Sequence, residues 1–278
     1  MQNEPEKREY SLIDHKSRKI PFCSWIPASP ESQIILVHGY SEHLRYYRSF
    51  AKKCCQKRIA VHTMDLPGHG TAEGTRGHIE DFQDYIDNVD LLFKSNPNFQ
   101  KVPTYLFGHS LGGLIASYYC IWYKPQINGL IFTSPLFGFP VSTLPAIYLA
   151  KIVIKRYADT LFPKPCLVHR LTRNIDNRPM YRNDPYRVFC ISPKLLLLMH
   201  EYGGKIQDRA ADLQTPVLLF MSGKDRVVSL PAIRKFFMKC GTKDKTLVAF
   251  SEAMHELIQE EENIQILNKM ASWIAERN

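Results

Sequence analysis

GHSLGG (108–113), set between the apolar run TYLF (104–107) and a helix-patterned stretch that Pro125 ends, is the segment on which the fold turns. A serine hydroxyl is a weak nucleophile unless it is exposed, aligned with a base and turned toward a site for a developing oxyanion. A tight strand–turn–helix junction supplies the exposure. Gly108 and Gly112 allow such a junction to pack without Cβ clashes, so Ser110 is the candidate nucleophile. The competing reading is a glycine-rich helix start with Ser110 as an ordinary first residue.

Outward from this junction, short apolar runs bounded by turn residues recur at IILV (34–37), IAVHTM (59–64), GLIFTS (129–134), PVLLFM (216–221) and TLVAF (246–250). Together with TYLFG (104–108) they read as buried parallel strands. Between them, Phe82, Tyr85, Ile86, Val89, Leu92 and Phe93 fall on one helical stripe, with Glu80, Asp84, Asp87 and Asp90 expected on the outer face. Strand followed by helix, repeated, predicts an α/β fold: a mostly parallel central sheet with right-handed crossovers and helices on both faces. YSLID (10–14) and KIPFCSWIP (19–27) suggest an antiparallel hairpin added at one sheet edge. The rhythm breaks over 136–211, which reads as an inserted helical lid over the carboxyl ends of the strands, leaving 1–135 and 212–278 as the core.

For a serine on such a junction, the acid and the histidine are expected later in the chain, in that order, on loops after later strands. Asp225 in SGKDRVV (222–228) and His255 in HELIQEE (255–261) meet that requirement, whereas Asp212 and Asp244 precede strands and fall at the wrong end of the sheet. Asp225 would orient the imidazole, and His255 would be the general base. The oxyanion needs two backbone N–H donors: Leu111, after the nucleophile, and Tyr40, in the loop after IILV. His38, at the strand end, is aimed at the loop itself rather than at the serine. No metal or nucleotide motif is present, since paired histidines with a following acid on one helix are absent and GHGTAEG (68–74) lacks the P-loop lysine.

With 45% hydrophobic and 23% charged residues over 278 positions, disorder is excluded, and the polar beginning of the chain suggests neither a secretory leader nor a membrane span. Seven dispersed cysteines without a CxxC spacing suit a reducing, cytoplasmic setting. The formal charge of +9 comes from scattered basic residues, which disfavours nucleic acid and leaves a solvated surface or peripheral association with an anionic membrane face. In the insertion, Leu144, Ile147, Tyr148 and Ile152 form an apolar stripe that either lines an acyl tunnel or meets lipid, with Lys151, Lys155 and Arg156 beside phosphate head groups. A plain helix with its apolar side in the core fits the same pattern.

HGYSEH (38–43), MDLPGHG (64–70), GTRGHIEDFQDYIDNVD (74–90), GHSLGG, YRNDP (181–185), SGKDRVV and HELIQEE, taken together and in this order, resemble the monoacylglycerol lipase and lysophospholipase branch of the α/β-hydrolases. The match covers nearly the whole chain, and its RGH and HEL segments are more specific than GxSxG. The resemblance implies an α/β-hydrolase fold, a lipid-ester substrate (monoacylglycerol or lysophospholipid), an acyl-enzyme mechanism and no cofactor. It carries over to Ser110, Asp225 and His255. Tyr40 stands where the family often has a smaller residue, which leaves its N–H available and narrows the pocket. A short-chain carboxylesterase, thioesterase or aminopeptidase on the same fold, or a catalytically silent binding protein, remains the alternative.

Overall fold

Short runs of four to six mostly apolar residues, apolar on both faces, are satisfied inside a covered sheet. A computed structural model of the chain describes residues 4–95, 101–164 and 166–278 and places those runs accordingly. Strands β1 (Glu6–Ile13), β2 (Lys19–Ile26), β3 (Ser32–Val37), β4 (Ile59–Met64), β5 (Thr104–His109), β6 (Gly129–Thr133), β9 (Val217–Ser222) and β10 (Lys245–Phe250) form one eight-stranded sheet. A two-stranded ribbon of β7 (Phe162–Pro163) and β8 (Cys190–Ile191) lies between them in sequence. The order across the main sheet is β1-β2-β4-β3-β5-β6-β9-β10. All pairings from β4 to β10 are parallel, and the β1–β2 hairpin adds antiparallel to β4. This is the α/β-hydrolase architecture.

Helices cover both faces: α1 (Arg48–Gln56) and α9 (Asn263–Ala275) over one, α2 (Gln83–Ser95), α3 (Leu111–Tyr123) and α8 (Leu230–Lys239) over the other. Phe82, Tyr85, Val89 and Leu92 are buried against the α3 side, as the stripe predicts. Asp84 is a correction. It is buried rather than outward, because the turn of the β1–β2 hairpin brings Lys16 Nζ to 2.7 Å and Arg18 Nη1 to 3.3 Å of its Oδ2. A carboxylate paired twice can leave water at acceptable cost, and the helical period alone cannot foresee that.

Between 136 and 211 lie α4 (Leu144–Tyr157), α5 (Val168–Leu171), α6 (Arg178–Asn183) and α7 (Pro193–Arg209). α7 does not lie over the strand ends. Its Leu195, Met199 and Ile206 join the cluster formed by α2, α3 and the sheet, so by packing it is a covering helix. The segment from α5 to β8 does cross the loops at the carboxyl ends: Val188 N donates to Ser41 O, and Ser192 N donates to Gly77 O at 2.9 Å. Among the described residues no helix is long and apolar enough to cross a membrane.

Candidate active site

The strand β5 ends at His109 and the chain turns within one residue into α3, leaving Ser110 at φ 50°, ψ −115°. A non-glycine residue there stores about 1–3 kcal/mol, which the surroundings must hold. They do so with three bonds: Ser110 N to Thr133 O at 3.1 Å, and Gly113 N and Leu136 N to Ser110 O at 3.0 and 2.9 Å. A Cβ at Gly108 would sit 2.6 Å from Gly112 O, and one at Gly112 would sit 2.1 Å from Val37 O. The two glycines are what let strand, turn and helix touch.

Ser110, Asp225 and His255 converge from three loops at the carboxyl end of the sheet. His255 Nε2 is 3.0 Å from Ser110 Oγ, and its Nδ1 is 2.7 Å from Asp225 Oδ2. The Val227 and Val228 amides donate to the other Asp225 oxygen at 2.8 and 3.1 Å. Burial alone would raise the Asp225 carboxyl, but the imidazole and these amides outweigh it and hold it below the usual carboxylate range. An acceptor fixed in this way requires the proton of neutral His255 on Nδ1, which frees Nε2 to accept from the Ser110 hydroxyl.

The loop after β3 comes close to the serine: a Cβ on Gly39 would meet Ser110 Cβ at 3.2 Å. The N–H groups of Tyr40 and Leu111 donate to no acceptor among the described residues. The Tyr40 ring stands edge-on to His69 at 5.5 Å, and its hydroxyl donates to Cys190 O. His38 is tied into the loop, with Nδ1 2.8 Å from Gly39 O and Nε2 accepting from Leu66 N at 2.9 Å. Of the apolar stripe on α4, Ile147 is buried, whereas Leu144, Tyr148 and Ile152 are 46%, 68% and 60% exposed. Three of the four therefore face outward rather than line an interior tunnel. Clefts of about 440 and 230 Å³ open elsewhere on the surface, and none of Ser110, Asp225 and His255 lines them.

Sequence reasoning missed a buried acid pair beside this relay. Glu42 Oε2 accepts from Gly39 N and from Tyr47 Oη, each at 2.7 Å, and Glu256, next to His255, reaches toward it. His109 lies between the two acids, its Nε2 3.5 Å from Glu256 Oε2 and 4.0 Å from Glu42 Oε1. Burial and the neighbouring Glu42 push the Glu256 carboxyl well above its ordinary value. Burial opposes ionisation of Glu42 as well, but His109 and its bonds hold that carboxyl low. Side by side and buried, the two acids favour a single charge between them, and the Glu256 carboxyl is the one pushed toward its neutral form. The three side chains offer donor atoms within 4.8 Å of one another, as a cation would require, but a shared proton already accounts for the approach of the acids. The signal available in sequence was an acid two residues after the presumed oxyanion donor and another directly after the histidine.

The motifs of the resemblance also hold the roof. His43 Nε2 is 2.6 Å from Asp184 Oδ2, joining HGYSEH to YRNDP, and Tyr46 stacks on Tyr181. His78 of RGH meets Ser192, which caps α7, and Arg76 Nη2 donates to Tyr186 O and Arg187 O at 2.7 and 3.0 Å.

Buried histidines set an acid limit on stability. Burial holds His62, His69 and His109 neutral down to about 4, about 3 and about 4. Below about pH 6.5 the unfolded chain protonates these imidazoles while the folded one does not, so stability is withdrawn as pH falls toward 4. Three such groups give a slope of up to about 4 kcal/mol per pH unit, and none above about pH 7.5. Urea unfolding at about pH 7.5, 6 and 5 should show a progressive loss; constant stability across that range would contradict the assignment.

Comparison with known proteins places this geometry. The family model described as serine aminopeptidase, S33, matches residues 28–262. The phospholipase YtpA of Bacillus subtilis is 30% identical over 245 residues, covering 86% of this chain and 93% of its own length. The monoglyceride lipase of Homo sapiens is 27% identical, covering 92% and 87%. A soluble variant of the monoglyceride lipase of Saccharomyces cerevisiae, solved with a substrate analogue, superposes with a TM-score of 0.88 at 19% identity, over 99% of this chain and 96% of that one.

Proposed function

The chain belongs to the serine aminopeptidase S33 family, in its monoacylglycerol lipase and lysophospholipase-like branch, and on that premise we propose that it hydrolyses single-chain lipid esters through an acyl-Ser110 intermediate. The observation that carries the reading is the unbroken relay from Asp225 through His255 to the Ser110 hydroxyl. As Ser110 Oγ attacks the ester carbonyl, its proton passes to His255 Nε2, and the oxyanion forms opposite the Tyr40 and Leu111 N–H groups. Collapse of the tetrahedral intermediate breaks the bond to the alcohol oxygen, which takes the proton from His255. Water then attacks the acyl-Ser110 ester with His255 again as base, releasing the fatty acid and restoring the hydroxyl.

Ser110 and His255 are only 6% and 3% exposed, so a substrate must displace part of the roof to reach them. Within 136–211 the segment from α5 to β8 acts as the lid over the site, α7 is a covering helix of the core and α4 is the outer face. That face exposes Leu144, Tyr148, Leu149 and Ile152 beside the exposed Lys151, Lys155 and Arg156, a pattern that suits the edge of an anionic lipid surface. Replacing Leu144, Tyr148 and Ile152 together by serine should lower turnover of ester in anionic vesicles about ten-fold more than turnover of a soluble nitrophenyl ester. Equal losses on both would remove the lipid-contact role.

An aminopeptidase would need a free acid for the substrate amine, whereas Glu42 is already engaged by Gly39 and Tyr47 and burial beside Glu42 pushes the Glu256 carboxyl up toward its neutral form. A fluorophosphonate probe reacts only with an activated serine. Labelling located at Ser110 by peptide mass spectrometry, with fatty acid released from a monoacylglycerol or a lysophospholipid, is the expected result. An unlabelled Ser110 would point to a silent binding protein.

A further inference from the structure

The segment over the triad carries two cations, Arg187 and Lys164, neither of which forms an ion pair among the described residues. Arg187 is 4% exposed and forms no ion pair within 4.0 Å among the described residues. Its guanidinium lies between the rings of Tyr181, at 5.1 Å, and Tyr46, at 5.8 Å, with one long bond from Nη1 to Tyr46 Oη at 3.4 Å. Nε is buried and donates to nothing. Lys164, an exposed residue, holds its ammonium over the Tyr40 ring at 5.1 Å. It too donates to no acceptor among the described residues.

Neither position is accidental. Arg76 pins the Tyr186 and Arg187 carbonyls, and Lys164 N donates to Phe189 O at 2.7 Å beside the β7–β8 ribbon. Both cations border the reaction centre: Tyr40 carries the presumed oxyanion donor, and Glu256, whose field acts on both Arg187 and Lys164, follows His255. The local acids make no direct contact with either cation: Glu42 is engaged by Gly39 N and Tyr47 Oη, and burial beside Glu42 pushes the Glu256 carboxyl up toward its neutral form. Burial, and secondarily Arg187, bring the Lys164 ammonium down to about 8, as expected of a cation that lacks a counter-ion. A buried guanidinium with an open Nε edge is costly unless an anion completes it, and its planar fork matches phosphate oxygens.

The geometry points to Arg187 and Lys164 as a subsite for a phosphate-bearing head group, which makes the substrate a lysophospholipid rather than a neutral monoacylglycerol. This rests on the reading of Ser110 as an esterase nucleophile and adds the identity of the leaving alcohol. A neutral glycerol would leave both cations uncompensated in the closed complex, whereas a glycerophosphate oxygen set would satisfy them.

The test compares, at one medium acyl length below micelle formation, a lysophosphatidate, a lysophosphatidylcholine, a monoacylglycerol and a nitrophenyl ester. The unmodified protein should favour the two phosphate-bearing substrates over the monoacylglycerol in kcat/KM. Arg187→Gln should narrow that preference by about 10- to 100-fold, the range of a charge-assisted bond, and Arg187→Lys should restore part of it. Lys164→Met should narrow it less, because Lys164 is an exposed residue whereas Arg187 is buried. Thermal unfolding and fluorophosphonate labelling of the Gln variant check that it remains folded and activated. Equal or better turnover of the monoacylglycerol by the unmodified protein, or a Gln variant that loses all substrates alike, would overturn the subsite. If inorganic phosphate inhibits nitrophenyl ester cleavage through Arg187 but no preference for phospholipid exists, the pair binds a free anion and the substrate assignment falls. Cleavage of none of the four, without labelling, would instead reject the Ser110 reading itself.

Discussion

Replacing Ser110 by alanine should lower kcat for a medium-chain nitrophenyl ester by about 10⁶-fold while the protein stays folded. The magnitude follows from what is deleted. Oγ is the atom that would bond to the acyl carbon, and among the described residues no other hydroxyl bonds to His255 Nε2. The turn does not depend on Oγ, since its bonds run through Ser110 N and O, and alanine keeps the same Cβ at the same φ of 50°. The fluorophosphonate label should vanish with the hydroxyl, and circular dichroism and the unfolding midpoint should match the unmodified protein. A loss smaller than about 100-fold would mean that another group performs the attack.

Asp225→Asn should cost about 10⁴-fold in kcat, and for a different physical reason. Asparagine is nearly isosteric, and its carbonyl oxygen can still accept from the Val227 and Val228 amides, so the loop after β9 keeps its shape. The atom now facing His255 Nδ1 is an amide nitrogen, which donates. The imidazole must then accept at Nδ1 and carry its proton on Nε2, where it opposes the Ser110 hydroxyl proton instead of receiving it. The expected signature is a collapsed kcat with little change in KM, measured on the soluble ester. A variant within about ten-fold of the unmodified rate would show that Asp225 does not set the tautomer.

The parts of this molecule legible along the chain share one property: their physics is short-ranged. The Ser110 turn could be recognised because Gly108 and Gly112 lie on either side of it, where any Cβ would strike backbone. The six parallel strands could be recognised because runs apolar on both faces have no stable place other than a covered sheet. Asp225 and His255 stood out only in combination with that turn, as polar residues just past two strands. Asp84 was misjudged because its partners, Lys16 and Arg18, come from 68 and 66 residues away.

By itself, then, the order of residues determined the strand–helix alternation, the hairpin at the edge, the strained serine turn and the loops from which an acid and a histidine could reach it. Only the tertiary structure decided that those loops meet at 2.7 and 3.0 Å, that Glu42 and Glu256 come together in a buried pair that pushes the Glu256 carboxyl up, and that neither Arg187 nor Lys164 forms an ion pair among the described residues. The reason is that backbone sterics and hydrophobic period act over a few residues and are written locally. The state of a buried charge depends on which distant groups the folded chain places within a few ångströms of it.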